Sequence, residues 1–241
     1  VKGALDTLSD EVRRALVVHW KRRAASELRI GRGFAALVPR LRAMGAPAVV
    51  TEGCMRSATD EERHAELCLS LAARYAGTDP GRIVEHPFEM PDFRTGDERL
   101  ELLYLVTGTC CINETLAVAY IQACLDTATD PVAVATNREH LRDEIGHGRL
   151  GWALLCSPWM DAELREALAE RLPRLLDANV PLWLRPDPAL DEDGVPSLGH
   201  PPLDVVRRAI RIAVREVLLP GFDYVGIPAS RLRETDLFRR S

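Results

Sequence analysis

The sequence predicts an all-α protein built around a four-helix bundle. Long segments repeat their apolar residues at steps of three, four and seven, no alternating strand pattern occurs between them, and aromatic residues make up only 5% of the 241 residues. The first helix is expected over Ser9 to Met44, where Leu16, Trp20, Arg23, Glu27, Phe34 and Leu37 mark one face. Thr7 or Ser9 can cap its start, and Gly45 with Pro47 can end it. Val50, Cys54, Glu61, His64, Cys68 and Leu71 carry a second stripe to Tyr75, closed by Gly77 and Pro80. Thr59 could instead cap a fresh helix at Asp60. Residues 78–95 hold three prolines and suit a crossover connection. A third helix is expected from Asp97 to Thr127, with Leu103, Val106, Cys110, Glu114, Ala117 and Ile121 on one side. A fourth follows from Pro131 to Cys156, with Ala133, Thr136, His140, Glu144, His147 and Gly151 facing inward. Two more helices, Asp161 to Ala178 and Leu203 to Leu219, flank a Pro- and Asp-rich loop over Val180 to Pro202. The whole chain reads as a single domain, with a core bundle over 9–156 and a helical extension over 157–241.

Composition bounds the partners. With 31 basic and 36 acidic residues the net charge is −5, which gives no field to attract nucleic acid or an anionic membrane surface. No apolar run is expected to reach the roughly 18 residues of a membrane span. Six cysteines in apolar stretches, with no secretory signal pattern, fit a reducing compartment, so the protein is expected in the cytoplasm.

The chemistry lies in two segments of one form, Asp60-Glu61-Glu62-Arg63-His64 and Asp143-Glu144-Ile145-Gly146-His147. A Glu and a His three residues apart on a helix point to nearly the same place, so each helix offers an oxygen and a nitrogen ligand. The other two core helices each set one Glu among apolar or small residues, Glu27 and Glu114. Burying four uncompensated carboxylates would cost several kcal/mol per ion, and two divalent metals would balance them.

This order of Glu, E-x-x-H, Glu, E-x-x-H resembles the ferritin-like di-iron and di-manganese carboxylate proteins, over roughly residues 9–156. The resemblance implies a metal centre in the bundle core. Asp60 and Asp143 are candidates to fix the ring orientation of metal-bound histidines. Similar aspartates bond the histidine of the opposite helix in bacterial multicomponent monooxygenases, whose D-E-x-R-H motif also matches Arg63. His140 extends the last segment to H-x-x-x-E-x-x-H and resembles the third histidine of the p-aminobenzoate N-oxygenase family. Carried over by motif, the ligands would be Glu27, Glu61, His64, Glu114, His140, Glu144 and His147.

The resemblance implies two iron ions cycling between Fe2+ and Fe3+, with manganese or a mixed pair as alternatives, O2 as co-substrate and an amine as the oxidised substrate. Hydroxylation or desaturation at carbon, and iron storage or peroxide removal, are the competing readings. With no dinucleotide, flavin or iron–sulfur motif in the chain, electrons must come from an external donor or reductase. The roughly 85 residues after the core are material for a pocket cover or a homodimer contact. Gly31, Thr107, Cys110, Gly148 and Gly151 could leave room for a small-molecule substrate, and Arg22, Arg23 or Arg142 could hold its carboxylate. Tyr104 and Tyr120 flank Glu114, whereas His19, His86 and His200 have no ligand-like spacing.

Overall fold

A computed structural model describes residues 8–84, 93–229 and 232. Helix α1 spans Asp10–Ala43 and α2 spans Ala48–Ala76. Of the two expected caps for α1, Ser9 does the work: its side chain accepts a hydrogen bond from the Val12 amide. Thr7 lies outside the described residues. Helix α2 runs through Thr59 without a break and ends at Gly77, whose φ of 70° is the left-handed C-terminal stop. Asp97 caps α3 (Glu98–Thr127) by accepting from the Arg99 and Leu100 amides. Asp130 caps α4 (Pro131–Leu155), with Pro131 in the first turn where its missing N–H costs nothing. Arg74, at the end of α2, holds both oxygens of Asp130 at 2.7 Å and so ties two helix ends together.

Neighbouring helices run antiparallel. Gly31 of α1 meets Ala58 and Glu61 of α2, Gly53 of α2 meets Leu150 of α4, and Gly151 of α4 meets Cys110 and Cys111 of α3. Arg74 near the end of α2 meets Asp130 at the start of α4, and Gly148 of α4 meets Glu114 of α3, so α2 runs antiparallel to α4 and parallel to α3, and the chain between α2 and α3 must travel the length of the bundle. This is the expected crossover, although its middle, 85–92, lies outside the described residues along with His86. After α4 come α5 (Ala162–Asn179) and short 3₁₀ turns at Val180–Leu184 and Pro196–Leu198. A last helix, α6, is continuous over 203–224 and outruns its expected end at Leu219. Among the described residues there is no strand, only one isolated bridge between Val195 and His200.

The third helix departs from expectation. It is α-helical over Glu98–Val106, widens into π-helix over Thr107–Asn113 and returns to α-helix at Glu114. The wide turn has visible partners: Asn113 Nδ2 donates to the Gly108 carbonyl at 2.9 Å and to Asn179 of α5 at 2.7 Å, and Trp183 Nε1 donates to Asn113 Oδ1 at 3.0 Å. Contacts from distant segments hold the extra residue, and single-helix periodicity carries no trace of them. Helix α3 is also long and apolar enough to cross a membrane, against expectation. Its most apolar window is 67% buried in the protein, as a helix at the centre of a bundle must be.

Two apolar clusters fill the bundle. The larger joins the end of α1, the start of α2 and the end of α4 to α3, α5 and α6. The smaller packs Leu16, Trp20 and Ala24 of α1 against Ala65, Cys68, Leu71, Ala72 and Tyr75 of α2. The acidic and imidazole side chains occupy the layer between them. All six cysteines are free thiols; five are buried, and Cys156, just past α4, is exposed.

Gly151 serves helix packing, not substrate space. A Cβ there would stand 2.5 Å from Cys111 Sγ and 2.9 Å from the Cys111 backbone nitrogen. Gly146, on the exposed side of the same helix, has nothing within 4 Å of such an atom. Gly151→Ala is therefore expected to cost about 1–3 kcal/mol through overpacking. Gly146→Ala is expected to be neutral or to add up to about 1 kcal/mol. Thermal melts followed by circular dichroism would check the pair, with the order of melting temperatures reversed if Gly151 is not a contact point.

Candidate metal centre

Each core helix brings its acid to the same layer because its apolar stripe faces inward there. Glu27 sits between Ala24 and Phe34 on α1, and Glu61 and His64 between Cys54 and Cys68 on α2. Glu114 follows the π turn on α3, and His140, Glu144 and His147 form one face of α4. All seven side chains are buried, Glu61, His64 and His140 completely.

They fall into overlapping groups whose ligand atoms lie within 4.8 Å of one another. Glu27, Glu61, His64 and Glu144 form one, and Glu61, Glu114, Glu144 and His147 form the other. Glu61 and Glu144 belong to both. The Nδ1 atoms of the two histidines face this interior. His64 Nδ1 lies 3.3 Å from Glu61 Oε2 and 3.6 Å from Glu144 Oε1. His147 Nδ1 lies 3.0 Å from Glu144 Oε2 and 3.2 Å from Glu61 Oε1.

The other ring nitrogens cross between helices. His64 Nε2 on α2 stands 3.2 Å from Asp143 Oδ2 on α4, and His147 Nε2 on α4 stands 3.4 Å from Asp60 Oδ2 on α2. A carboxylate only accepts, so each Nε2–H donates and each Nδ1 is left to face the glutamates. Arg63 lies between the aspartates and donates to Asp60, Asp143 and also Glu139, an acid the sequence reading did not single out.

His140 stands at the edge of the layer. Its Nδ1–H donates to the Thr136 carbonyl at 2.9 Å, and its Nε2 lies 4.0 Å from Glu27 Oε1. Arg23, a candidate for holding substrate, is instead engaged within the protein. It donates to Glu27 at 3.2 Å and to Asn137 at 3.2 Å, and lies over the rings of Trp20 and Tyr120. Arg142 is exposed and paired with Asp143. Gly31 also belongs to packing, since a Cβ there would meet Glu61 Cβ at 3.0 Å. Tyr104 donates to the Ala167 carbonyl, away from the acids.

The electrostatics ask for cations. Burial, then the charge of Glu61, pushes the Glu27 carboxyl up to about 8 against the pull of Arg23. Burial and neighbouring Glu144 hold Glu114 well above the carboxylate range. Burial would lower His147, but the Glu144 and Glu61 carboxylates close to its Nδ1 outweigh that and raise it to about 12. Protons thus stand in for positive charge. Glu61 Oε1 is buried without a hydrogen bond, because His147 Nδ1, though near, is out of line. Four carboxylates, two inward-facing imidazole nitrogens and an unsatisfied buried oxygen fit a pair of divalent metal ions.

Two cavities reach this layer. One of about 660 Å³, largely apolar, lies between α3, α4 and α6 and ends on Glu114, Glu144 and Gly148; Val118, Ile145, Trp152 and Ile212 help to line it. The other, about 260 Å³, is more polar and approaches Glu27, Glu114 and Glu144 between α1, α3 and Trp183. Arg22, Tyr120 and the half-buried His19–Asp187 pair line it, the pair being joined at 2.7 Å. His19 and His200, which have no ligand-like spacing in the sequence, are buried ring neighbours beside this chamber.

A solved structure shares this architecture. "Protein 19 with aldehyde deformylating oxidase activity" from Synechococcus superposes with a TM-score of 0.59 over 97% of this chain and 98% of that one. The fold is a ferritin-like helical bundle. At 17% sequence identity the likeness is one of fold alone. No family model matches the chain, and no curated protein is similar to it in sequence.

Metal binding at neutral pH must expel the protons on Glu27, Glu114 and His147, so affinity is expected to rise with pH, with an inflection near the value of about 8 held by Glu27. Calorimetric titrations in buffers of different ionisation enthalpy would count the released protons, expected at about three per chain. Release of none would mean that ions bind elsewhere.

Proposed function

We propose that this protein is a di-iron oxygenase that activates O2 to oxidise a small organic substrate. The supporting observation is the pair of buried four-residue clusters that share Glu61 and Glu144. Glu27 and His64 would complete one metal position and Glu114 and His147 the other, with Glu61 and Glu144 between them. Two ferrous ions bound there supply electrons to reduce O2.

The chain's own residues do the rest. Asp143 and Asp60 keep the inward nitrogens of His64 and His147 free to bind. Arg23 pins Glu27, and the apolar clusters above and below exclude water from the layer. Electrons come from an external donor in this reading, since the chain has no nucleotide or flavin motif of its own.

N-oxygenation of an amine is the finer reading, supported by His140 beside Glu27 and by its resemblance to the third histidine of the N-oxygenases. The chamber lined by Arg22, Tyr120 and the His19–Asp187 pair has polar groups to orient such a substrate. A second reading, oxidation at carbon, is favoured by the apolar cavity that ends on Glu114 and Glu144, which suits an alkyl chain. The aldehyde deformylating oxidase activity of the structural neighbour accords with it.

Anaerobic Fe2+ loading, then O2 with an arylamine or a medium-chain aldehyde, separates these readings by their products. Hydroxylamine or nitro products support the first, and oxidised or shortened carbon chains the second. Iron mineral without organic product would sink both. Elemental analysis tests the centre itself. Glu144→Ala, which touches both clusters, is expected to reduce bound iron from two ions per chain to nearly none, whereas Glu114→Ala should leave about one.

A further inference from the structure

A third group of ligand atoms adjoins the centre. A carboxylate oxygen of Glu27, Cys68 Sγ and His140 Nε2 lie within 4.8 Å of one another, all buried. Cys68 follows His64 by four residues on α2 and shares its inward face. Its sulfur stands 3.8 Å from His140 Nε2, and that nitrogen stands 4.0 Å from Glu27 Oε1.

His140 is set up to bind. With Nδ1–H donated to the Thr136 carbonyl, the neutral ring keeps its lone pair on Nε2, facing the thiol and the carboxylate. A backbone carbonyl that fixes the tautomer from behind is the usual support of a metal-bound imidazole. Metal–ligand bonds of about 2.3 Å to sulfur and about 2.0–2.2 Å to nitrogen or oxygen place the ligands of one ion roughly 3.3–4 Å apart. The sulfur–nitrogen spacing of 3.8 Å falls inside that range, the nitrogen–oxygen spacing of 4.0 Å lies at its upper edge, and the sulfur and the carboxylate oxygen are within 4.8 Å of each other.

We propose that Glu27, Cys68 and His140 form a third metal position, with one oxygen, one sulfur and one nitrogen ligand, selective for a thiophilic divalent ion such as Zn2+ or Co2+. Binding exchanges the Cys68 S–H for a metal–sulfur bond and releases that proton together with the one held on Glu27, with no change in oxidation state. Thiolate favours these ions over those that the all-oxygen-and-nitrogen clusters accept equally. Glu27 belongs both here and to the dinuclear centre, so filling this position withdraws a ligand from the neighbouring iron. Excess zinc would thereby inhibit the oxygenase by competition inside the bundle. The proposal rests on the metal-centre reading only in giving Glu27 that second role.

The test uses the full chain, freed of metal and kept reduced, titrated with Co2+. The wild-type protein is expected to develop a near-ultraviolet sulfur-to-cobalt charge-transfer band. Cys68→Ser should lose that band and keep its remaining cobalt, while Cys54→Ser should retain it. X-ray absorption of the wild type loaded with one zinc per chain, which needs no variant, should show a sulfur shell at about 2.3 Å. No charge-transfer band and no sulfur shell at saturation, or a band that survives Cys68→Ser, would overturn the proposal. Two ions bound by oxygen and nitrogen alone would do so while leaving the dinuclear reading intact, so the two failures are distinguishable.

Discussion

Four carboxylates buried in one layer of a helical bundle set the terms for everything around them. Glu27, Glu61, Glu114 and Glu144 come from four different helices and converge with two imidazoles in overlapping groups whose ligand atoms lie within 4.8 Å of one another. Apolar packing above and below denies them water, and like charges so confined cannot all be ionised without compensation. Raised carboxyls at Glu27 and Glu114 and a strongly basic His147 are how the polypeptide alone meets that demand. Such an arrangement costs stability. It makes sense where bound cations return what the burial took.

A second set of contacts keeps the layer in register. Acids on α2 and α4 each hold the imidazole of the other helix, and Arg63 joins the two acids at the outside. Arg23 does the same for Glu27 from within α1, backed by Trp20, Tyr120 and Asn137. On α3 no charged partner serves; the π turn, fixed by Asn113, Asn179 and Trp183, sets where Glu114 begins its helix. Three devices, one of them shared by α2 and α4, thus bring the ligands of four helices to a common depth.

Much of this was legible in the sequence because helical spacing is local. Glu61 with His64, and Glu144 with His147, announce themselves by a three-residue interval, and a lone acid in an apolar stripe marks Glu27 and Glu114. The Ser9 cap was readable, and the expected helix starts at Asp97 and Asp161 fall on the residues that cap those helices. What escaped notice depends on distant chain segments. The π turn needs Asn179 and Trp183, far along the chain, and Glu139 matters only because Arg63 of another helix reaches it. Arg23 looked free to meet a ligand because nothing local shows that Asn137 engages it. Gly31 and Gly151 looked like open space for the same reason, whereas the backbone of a neighbouring helix fills it. Cys68 could have been found: it lies one turn beyond His64, on the same stripe, but buried cysteine reads first as a small hydrophobe.

The cavities lie on opposite flanks of α3. Thr115, Val118, Ala119 and Gln122 border the apolar one, while Asn113, Ala117, Tyr120 and Ile121 border the polar one, and Glu114 touches both. A single helix therefore acts as a partition wall, with an apolar chamber on one side and a more polar one on the other. In the oxygenase reading, reactants of unlike solubility would have separate approaches to the same pair of carboxylates, so that neither would have to back out for the other to come in.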